Sequence, residues 1–400
     1  MLILALILSF ALILFLVHKK INLGFSTMAG ALLLALMSGL SVGETARIFI
    51  MALLERATIE LAVDVFLIVV FSKMMEDYGV LAKMVDSLEK LFGSAKVMLF
   101  IIPSLLSTFT VTGAAIVAAP VIDNLGEKAG LSKARRAAIN LYIRHAWYFF
   151  LPISISLLYA AYVANIPISK IIIAQLPVTL ATLLAGYLVY IRPIKTNGMG
   201  IQPERSLQVI RNVLLYASPL LLCIVLVFWI PLYAALVITS ILTYFLKDND
   251  KKLFDVLLKG PNKSYNLIIA VAGVMIFKHV IQNIPQMETL MQQVTGLGIP
   301  LWLTAVILAS ALGFVSGNSQ LPPAMLYPLL FSLIPPEQTV AYAMLIYTTG
   351  FTLYYISPIH LCQALTNEYF EVSLPELYRE YYITVPVMFF SGIITYFLLI

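Results

Sequence analysis

Three polar side chains stand within two turns of one apolar run. In NLYIRHAWYFFLPIS these are Asn140, Arg144 and His145, followed by Pro152. An arginine inside an apolar segment of membrane length costs at least about 2.5–3.5 kcal/mol to insert, so it must face a cavity or a partner. Two roles fit Arg144. Its planar donor fork can neutralise an anionic substrate, or it can pair with Asp64, the one carboxylate well inside an apolar run. His145 can carry a proton or make a structural hydrogen bond.

Two further apolar stretches are interrupted by small and hydroxyl residues. STFTVTG offers Ser107, Thr108, Thr110, Thr112 and Gly113; GFVSGNSQLPP offers Ser316, Gly317, Asn318, Ser319 and Gln320 before a double proline. In lipid, irregular backbone survives only where protein or a water-filled cavity satisfies its polar groups. Helix N-termini at such places attract anions, and unwound carbonyls suit Na⁺. The bland alternative is hydroxyls that hold helices together or bond back to their own turns. A later run, IYTTGFTLYYISPIHLCQALTNEYF, sets Thr348, Thr349 and Gly350 near the position of Arg144, and Ser357-Pro358 near that of Pro152. Gly350 and Pro358 are expected points of unwinding. His360 is expected to be structural, as are Cys223 and Cys362, which sit unpaired in separate apolar runs. No cluster of metal ligands is expected.

These residues need elements to hold them. The chain of 400 residues is 61% hydrophobic and 11% charged, with a mean hydropathy of +0.96. A soluble domain carries about 25% charged residues, so an all-α integral membrane protein is expected. The net charge of +5 reflects basic loops rather than nucleic-acid binding. Ten apolar runs are long enough to cross a bilayer: 2–17, 23–40, 60–78, 137–163, 171–191, 207–229, 231–246, 264–283, 338–364 and 381–400. Residues 2–17 read as a first span, since no basic residue precedes them. The stretches 97–122 and 300–331 are left over.

Charge decides how those two run. Lys73, Lys83, Lys90 and Lys96 precede 97–122, and Lys128, Lys133, Arg135 and Arg136 follow it. Basic loops favour the cytoplasm, so 97–122 is predicted to be a re-entrant hairpin entering from that side. No Lys or Arg flanks 300–331 closely, so that hairpin is predicted to enter from outside. With this topology twenty of the twenty-five Lys and Arg fall on the cytoplasmic side, and the N-terminus lies outside.

The halves then share one layout. Phe71 pairs with Phe277, Gly113 with Gly317, Tyr142 with Tyr347 and Pro152 with Pro358, all at nearly the same spacing. A constant offset signals a repeat. The expected architecture is two inverted repeats, each of five transmembrane helices plus one re-entrant hairpin. Residues 1–192 form the first, 207–400 the second, and 193–206 a cytoplasmic linker. Inverted repeats with broken elements in matching places point to secondary transport with a midplane site.

The strip from Gly113 to Pro120, the set Asn140/Arg144/His145/Trp147, and the run from Ser357 to Phe370 resemble an uncharacterised prokaryotic membrane protein family, domain of unknown function 401. That family is placed in the ion transporter superfamily, with divalent-anion/Na⁺ symporters, gluconate permeases, arsenite permeases and Na⁺/H⁺ antiporters. The resemblance implies a homodimer in the plasma membrane of a prokaryote, with a mobile transport domain working by an elevator motion.

The expected function is a secondary transporter of a small organic anion, a carboxylate, driven by Na⁺ or H⁺. Its substrate site would be Thr108, Thr110, Thr112, Gly113, Asn140, Arg144, Ser316, Gly317, Asn318, Ser319, Gln320, Thr348 and Thr349. Ser107, Asn140, Asn318, His145 and Ser357 would serve the coupling ion or proton. No cofactor is expected beyond Na⁺ as coupling ion. The alternatives are cation/proton antiport through Asp64 and a channel on the same fold. An enzyme is not expected, since neither a HExxH motif nor a Gly-x-Ser-x-Gly elbow occurs.

Overall fold

The computed structural model describes residues 2–400 apart from 108–113, 196–202, 255–260, 288 and 291–297, and apart from the side chains of 114–117 and 261–263. Among the described residues every regular element is helical.

The chain opens with α1 (Leu2–His18) and α2 (Leu23–Met37), the latter started by Asn22, whose side chain accepts from Gly24 N. Then come α3 (Val42–Leu54) and α4 (Arg56–Asp77). Residues 42–54 lie between the expected spans 23–40 and 60–78 and are helical as well. The missed signal is a capping box, in which Ser41 and Glu44 satisfy each other's backbone N–H groups. The polar connection after α4 is also helical, α5 (Val80–Phe92), bounded by left-handed Gly79 and Gly93. Its Lys83 pairs with Asp248 at 2.6 Å, and that hydrogen bond holds the ammonium above its ordinary pKa.

Helices α6 (Ala95–Leu106) and α7 (Ala114–Lys128) pack together, as do α14 (Leu301–Ser316) and α15 (Leu321–Leu330) further on. Between them lie α8 (Lys133–Ala146), α9 (Ile155–Ala164), α10 (Ile168–Gly186), α11 (Leu207–Leu226), α12 (Leu232–Phe245) and α13 (Pro261–Gln282). The chain ends with α16 (Thr339–Tyr355), α17 (Leu361–Phe370), α18 (Leu374–Glu380) and α19 (Thr384–Leu399).

Among the described residues, three helices are both continuous and apolar enough to cross a bilayer: Ile168–Ile191, Leu207–Leu226 and Ser264–Gln282. The pair α18–α19, bent by 57°, adds a fourth. The expected spans 137–163 and 338–364 are each two helices. Pro152 and Pro358 stand in the gaps, where the missing N–H and the extended bias of the preceding residue stop a helix. Leu4, Ile7, Leu180, Leu184, Phe245 and Leu398 present apolar side chains outward. So much exposed apolar surface belongs in lipid, not water, and the chain is a membrane protein.

Lipid tails are as apolar as leucine, so helices in a bilayer associate through close packing at small residues. Two crossings here are built on glycine pairs. A Cβ on Gly24 would lie 2.0 Å from Ile269 O, and one on Gly273 would lie 2.1 Å from Gly24 O, so α2 and α13 touch backbone to backbone. Likewise a Cβ on Gly313 would lie 2.1 Å from Gly350 O, at the crossing of α14 and α16. Gly350 is therefore a packing residue in an unbroken helix, not the point of unwinding the sequence suggested.

Contacts between the halves come in swapped pairs. Helix α2 packs on α13, and α12 packs on α4. Helix α9 packs on α15, and α17 packs on α7.

Candidate functional site

Helix α8 starts at Ser132, whose hydroxyl accepts from Arg135 N at 3.2 Å, and carries Arg144 and His145 in its last turn. It tightens into a 3₁₀ turn at Trp147–Phe149 and gives way to irregular backbone around Pro152 before α9. The second break runs between Tyr355 and Leu361. There the main-chain carbonyls find side-chain donors. His360 Nδ1 bonds Tyr355 O at 3.0 Å, Tyr378 Oη bonds Ile356 O, and Gln363 Nε2 bonds Ser357 O at 3.1 Å. Buried backbone groups must be paired, and this break meets the rule with its own neighbours.

The turn between α14 and α15 meets both breaks. Gly317 adopts the left-handed conformation (φ +57°) that ends α14. Any Cβ there would lie 2.6 Å from the Ile359 side chain, so glycine is required twice over. Asn318 N bonds Ser316 Oγ at 3.2 Å, and Gln320 N bonds Asn318 Oδ1 at 2.8 Å, which fixes the turn locally. Ser319 Oγ reaches Ser156 Oγ, at the start of α9, across 2.5 Å.

A cavity of about 230 Å³ opens where these parts converge. Its wall includes Arg144, Tyr148, Ser156, Gly317, Asn318, Ser319, Gln320, Tyr354, His360 and Cys362. Arg144 is 1% exposed. Its Nε and Nη1 have no hydrogen-bond partner among the described residues. Its electrostatic neighbours are Tyr148, Cys362 and Tyr354, and no carboxylate among the described residues forms a salt bridge with it. Asp64, the partner that sequence offered, is elsewhere. It accepts from Tyr162 Oη at 2.7 Å and borders a separate cavity of about 650 Å³ with Glu55, Arg56 and Glu60.

The other expected site residues divide. Asn140 sits one turn before Arg144, with Nδ2 3.4 Å from Thr366 Oγ1. Thr348 donates to Gln175 Oε1 at 2.9 Å and Thr349 to Leu345 O at 2.8 Å, so both hydroxyls serve helix packing away from the cavity. Ser357 donates to Phe314 O at 2.6 Å and thereby ties the second break to α14. Ser107 bonds Ser104 O. Thr108, Thr110, Thr112 and Gly113 lie outside the described residues.

Sequence reading missed one constellation. One ring nitrogen of His145, one of His360 and the Cys362 sulfur lie within 4.8 Å of one another. No metal-ligand cluster was expected from the sequence, and these three side chains stand close enough together to hold an ion. His145 is 217 residues from Cys362, so no spacing rule links them; only the folding of α17 against α8 does. The local His-Leu-Cys triplet after Pro358 was the available hint.

A model of the family described as protein of unknown function (DUF401) matches residues 2–399. No curated protein matches the chain. Among solved structures the chain is similar to the Alcanivorax borkumensis YdaH transporter, with a TM-score of 0.58 and 12% identity over 84% of each chain. At that identity the likeness is one of fold. With the family model covering all but the ends, this chain belongs to the DUF401 family of proteins of unknown function.

Proposed function

We propose that the protein is a secondary active transporter of a small organic anion, a carboxylate, coupled to Na⁺ or H⁺, and a member of the ion transporter superfamily. One observation carries the reading. Arg144 is buried beside a cavity, has no acidic partner among the described residues, and shares that cavity with the Gly317–Gln320 turn. A buried guanidinium with unused donors is a ready counter-charge for a carboxylate. The fold likeness to the YdaH transporter supports transport as the process.

The architecture in this proposal is two inverted repeats, 1–192 and 207–400, joined by a cytoplasmic linker at 193–206. Its support is the swapped contacts of α2 with α13 and α12 with α4, and of α9 with α15 and α17 with α7. A two-fold axis exchanging the halves generates both pairs. The hairpins enter from opposite sides, 97–122 from the cytoplasm and 300–331 from outside. The N-terminus is outside, the membrane is the plasma membrane of a prokaryote, and a homodimer works by an elevator motion. Coupling falls to groups near Asn140, Asn318 and His145. Thr108, Thr110, Thr112 and Gly113 are assigned to the substrate site from their sequence alone.

Uptake into proteoliposomes across a panel of carboxylates, with and without Na⁺ and pH gradients, tests the function. Gradient-dependent uptake that Arg144→Ala abolishes is expected. No gradient-dependent uptake of any anion, or wild-type uptake in Arg144→Ala, sinks the reading. A second reading, cation/proton antiport, draws on Asp64 and its larger cavity; Asp64→Asn would abolish that activity and leave anion uptake standing.

A further inference from the structure

The imidazoles of His145 and His360 are both tied down by the same nitrogen. His145 Nδ1 lies 2.7 Å from Leu141 O, and His360 Nδ1 lies 3.0 Å from Tyr355 O. A carbonyl only accepts, so Nδ1 carries the proton in each ring and Nε2 keeps its lone pair. Both Nε2 atoms are buried and, apart from the Cys362 thiol that both rings approach, face no hydrogen-bond partner among the described residues. The rings stand nearly perpendicular, with centroids 5.0 Å apart, and the neighbour they share is the Cys362 sulfur. One tethered nitrogen and one bare nitrogen in each ring is the arrangement that metal-binding histidines show, the carbonyl fixing the tautomer and the aim of the ligand.

We propose that His145, His360 and Cys362 bind a borderline-soft d¹⁰ cation, Zn²⁺ or Cu⁺. Two neutral imidazoles and a thiolate suit such ions, whereas Na⁺ and Mg²⁺ prefer oxygen. In a tetrahedral site the ligand atoms stand about 3.5 Å apart, given bond lengths of about 2.0–2.3 Å. The three atoms here, within 4.8 Å of one another, close on an ion by side-chain shifts of about an ångström. As the metal–sulfur bond forms, the Cys362 thiol gives up its proton to solvent. The fourth position faces the cavity that Cys362 and His360 line. Arg144 stands beside the same sulfur, so a divalent ion is best accommodated with an anionic fourth ligand such as a carboxylate or hydroxide. This goes beyond transport and stands without it.

Wild-type protein in detergent, stripped with a chelator, is titrated with Zn²⁺ and separately with Cu⁺ under reducing conditions. One ion per chain is expected. X-ray absorption at the metal edge should show one sulfur and two imidazole nitrogens. Cys362→Ser and His360→Gln should each weaken binding on the order of 100-fold, with Cys223→Ser unchanged. Neither ion binding stoichiometrically, an absorption spectrum without sulfur, or wild-type affinity in Cys362→Ser overturns the proposal. The absorption measurement needs only wild-type protein, so a misfolded variant cannot shelter it. No transport is measured, so failure here and failure of the carboxylate reading are separate results.

Discussion

The hydroxyls of Ser156 and Ser319 meet at 2.5 Å, which joins the first residues of α9 to the turn between α14 and α15. This is a contact between the start of a helix in one half and an inter-helix turn in the other. Any motion that opens the cavity toward Arg144 by moving that turn must part these two oxygens.

Cysteines at both positions should therefore form a disulfide on mild oxidation, since bridged sulfurs need Cβ atoms about 3.5–4.5 Å apart. With a protease site placed in the 193–206 connection, the cross-link holds the two fragments together on a non-reducing gel. Anion uptake should be lost on oxidation and return with reductant. Full uptake by the cross-linked protein would show that this contact does not have to open.

Arg144→Lys tests the donor fork apart from the charge. Lysine keeps the charge and loses the bidentate geometry. Truncating one partner of a buried charged contact typically weakens binding by about 2–5 kcal/mol, so Arg144→Ala should raise the apparent Kd for substrate on the order of 30-fold or more. Arg144→Lys should fall between Ala and wild type. Equal affinity in all three proteins would remove Arg144 from the site.

Gly350→Ala should destabilise the protein by about 1–3 kcal/mol, the usual range for overpacking. The added Cβ meets Pro322 Cβ at 2.7 Å and Ala309 O at 3.3 Å. Gly43→Ala is the control. Nothing lies within 4 Å of its added Cβ, it sits in the first turn of α3, and alanine should be neutral or stabilising by up to about 1 kcal/mol. Thermal unfolding in detergent measures both. A Gly350→Ala protein as stable as wild type would contradict the tight crossing.

Tyr162→Phe removes the hydroxyl that bonds Asp64 at 2.7 Å. A buried carboxylate that loses a donor costs about 1–3 kcal/mol, so the melting temperature should fall while anion uptake per folded molecule persists. Loss of uptake with no change in stability would move Asp64 into the transport cycle.

Composition alone made the membrane class legible, and Pro358 made the second break legible, because a missing N–H stops a helix in any surroundings; the first break, at Pro152, lies inside a run that reads as one span. The Ser316–Gln320 turn was equally clear, since its Asn and Gly chemistry is local. What stayed hidden was tertiary. Thr348 and Thr349 looked like site residues because they align with Arg144. Their hydroxyls turn instead toward Gln175 and Leu345 O, and alignment along a sequence carries no rotation about the helix axis. Gly350 looked like a hinge and is a contact, because glycine serves loose and tight backbone alike. His145, His360 and Cys362 meet only after α17 has packed on α8.

The glycine crossing of α2 and α13 bears on how the protein is made. Gly24 lies against Ile269 and Gly273, residues that leave the ribosome about two hundred and fifty positions later. During that interval α2 rests in the bilayer with its narrow face against lipid, and α4 likewise waits for α12. Helices in a membrane insert first and associate afterwards. Assembly of this chain is therefore completed after insertion: in the N-terminal half, made alone, α2 and α4 are inserted helices whose closest partners have yet to be synthesised.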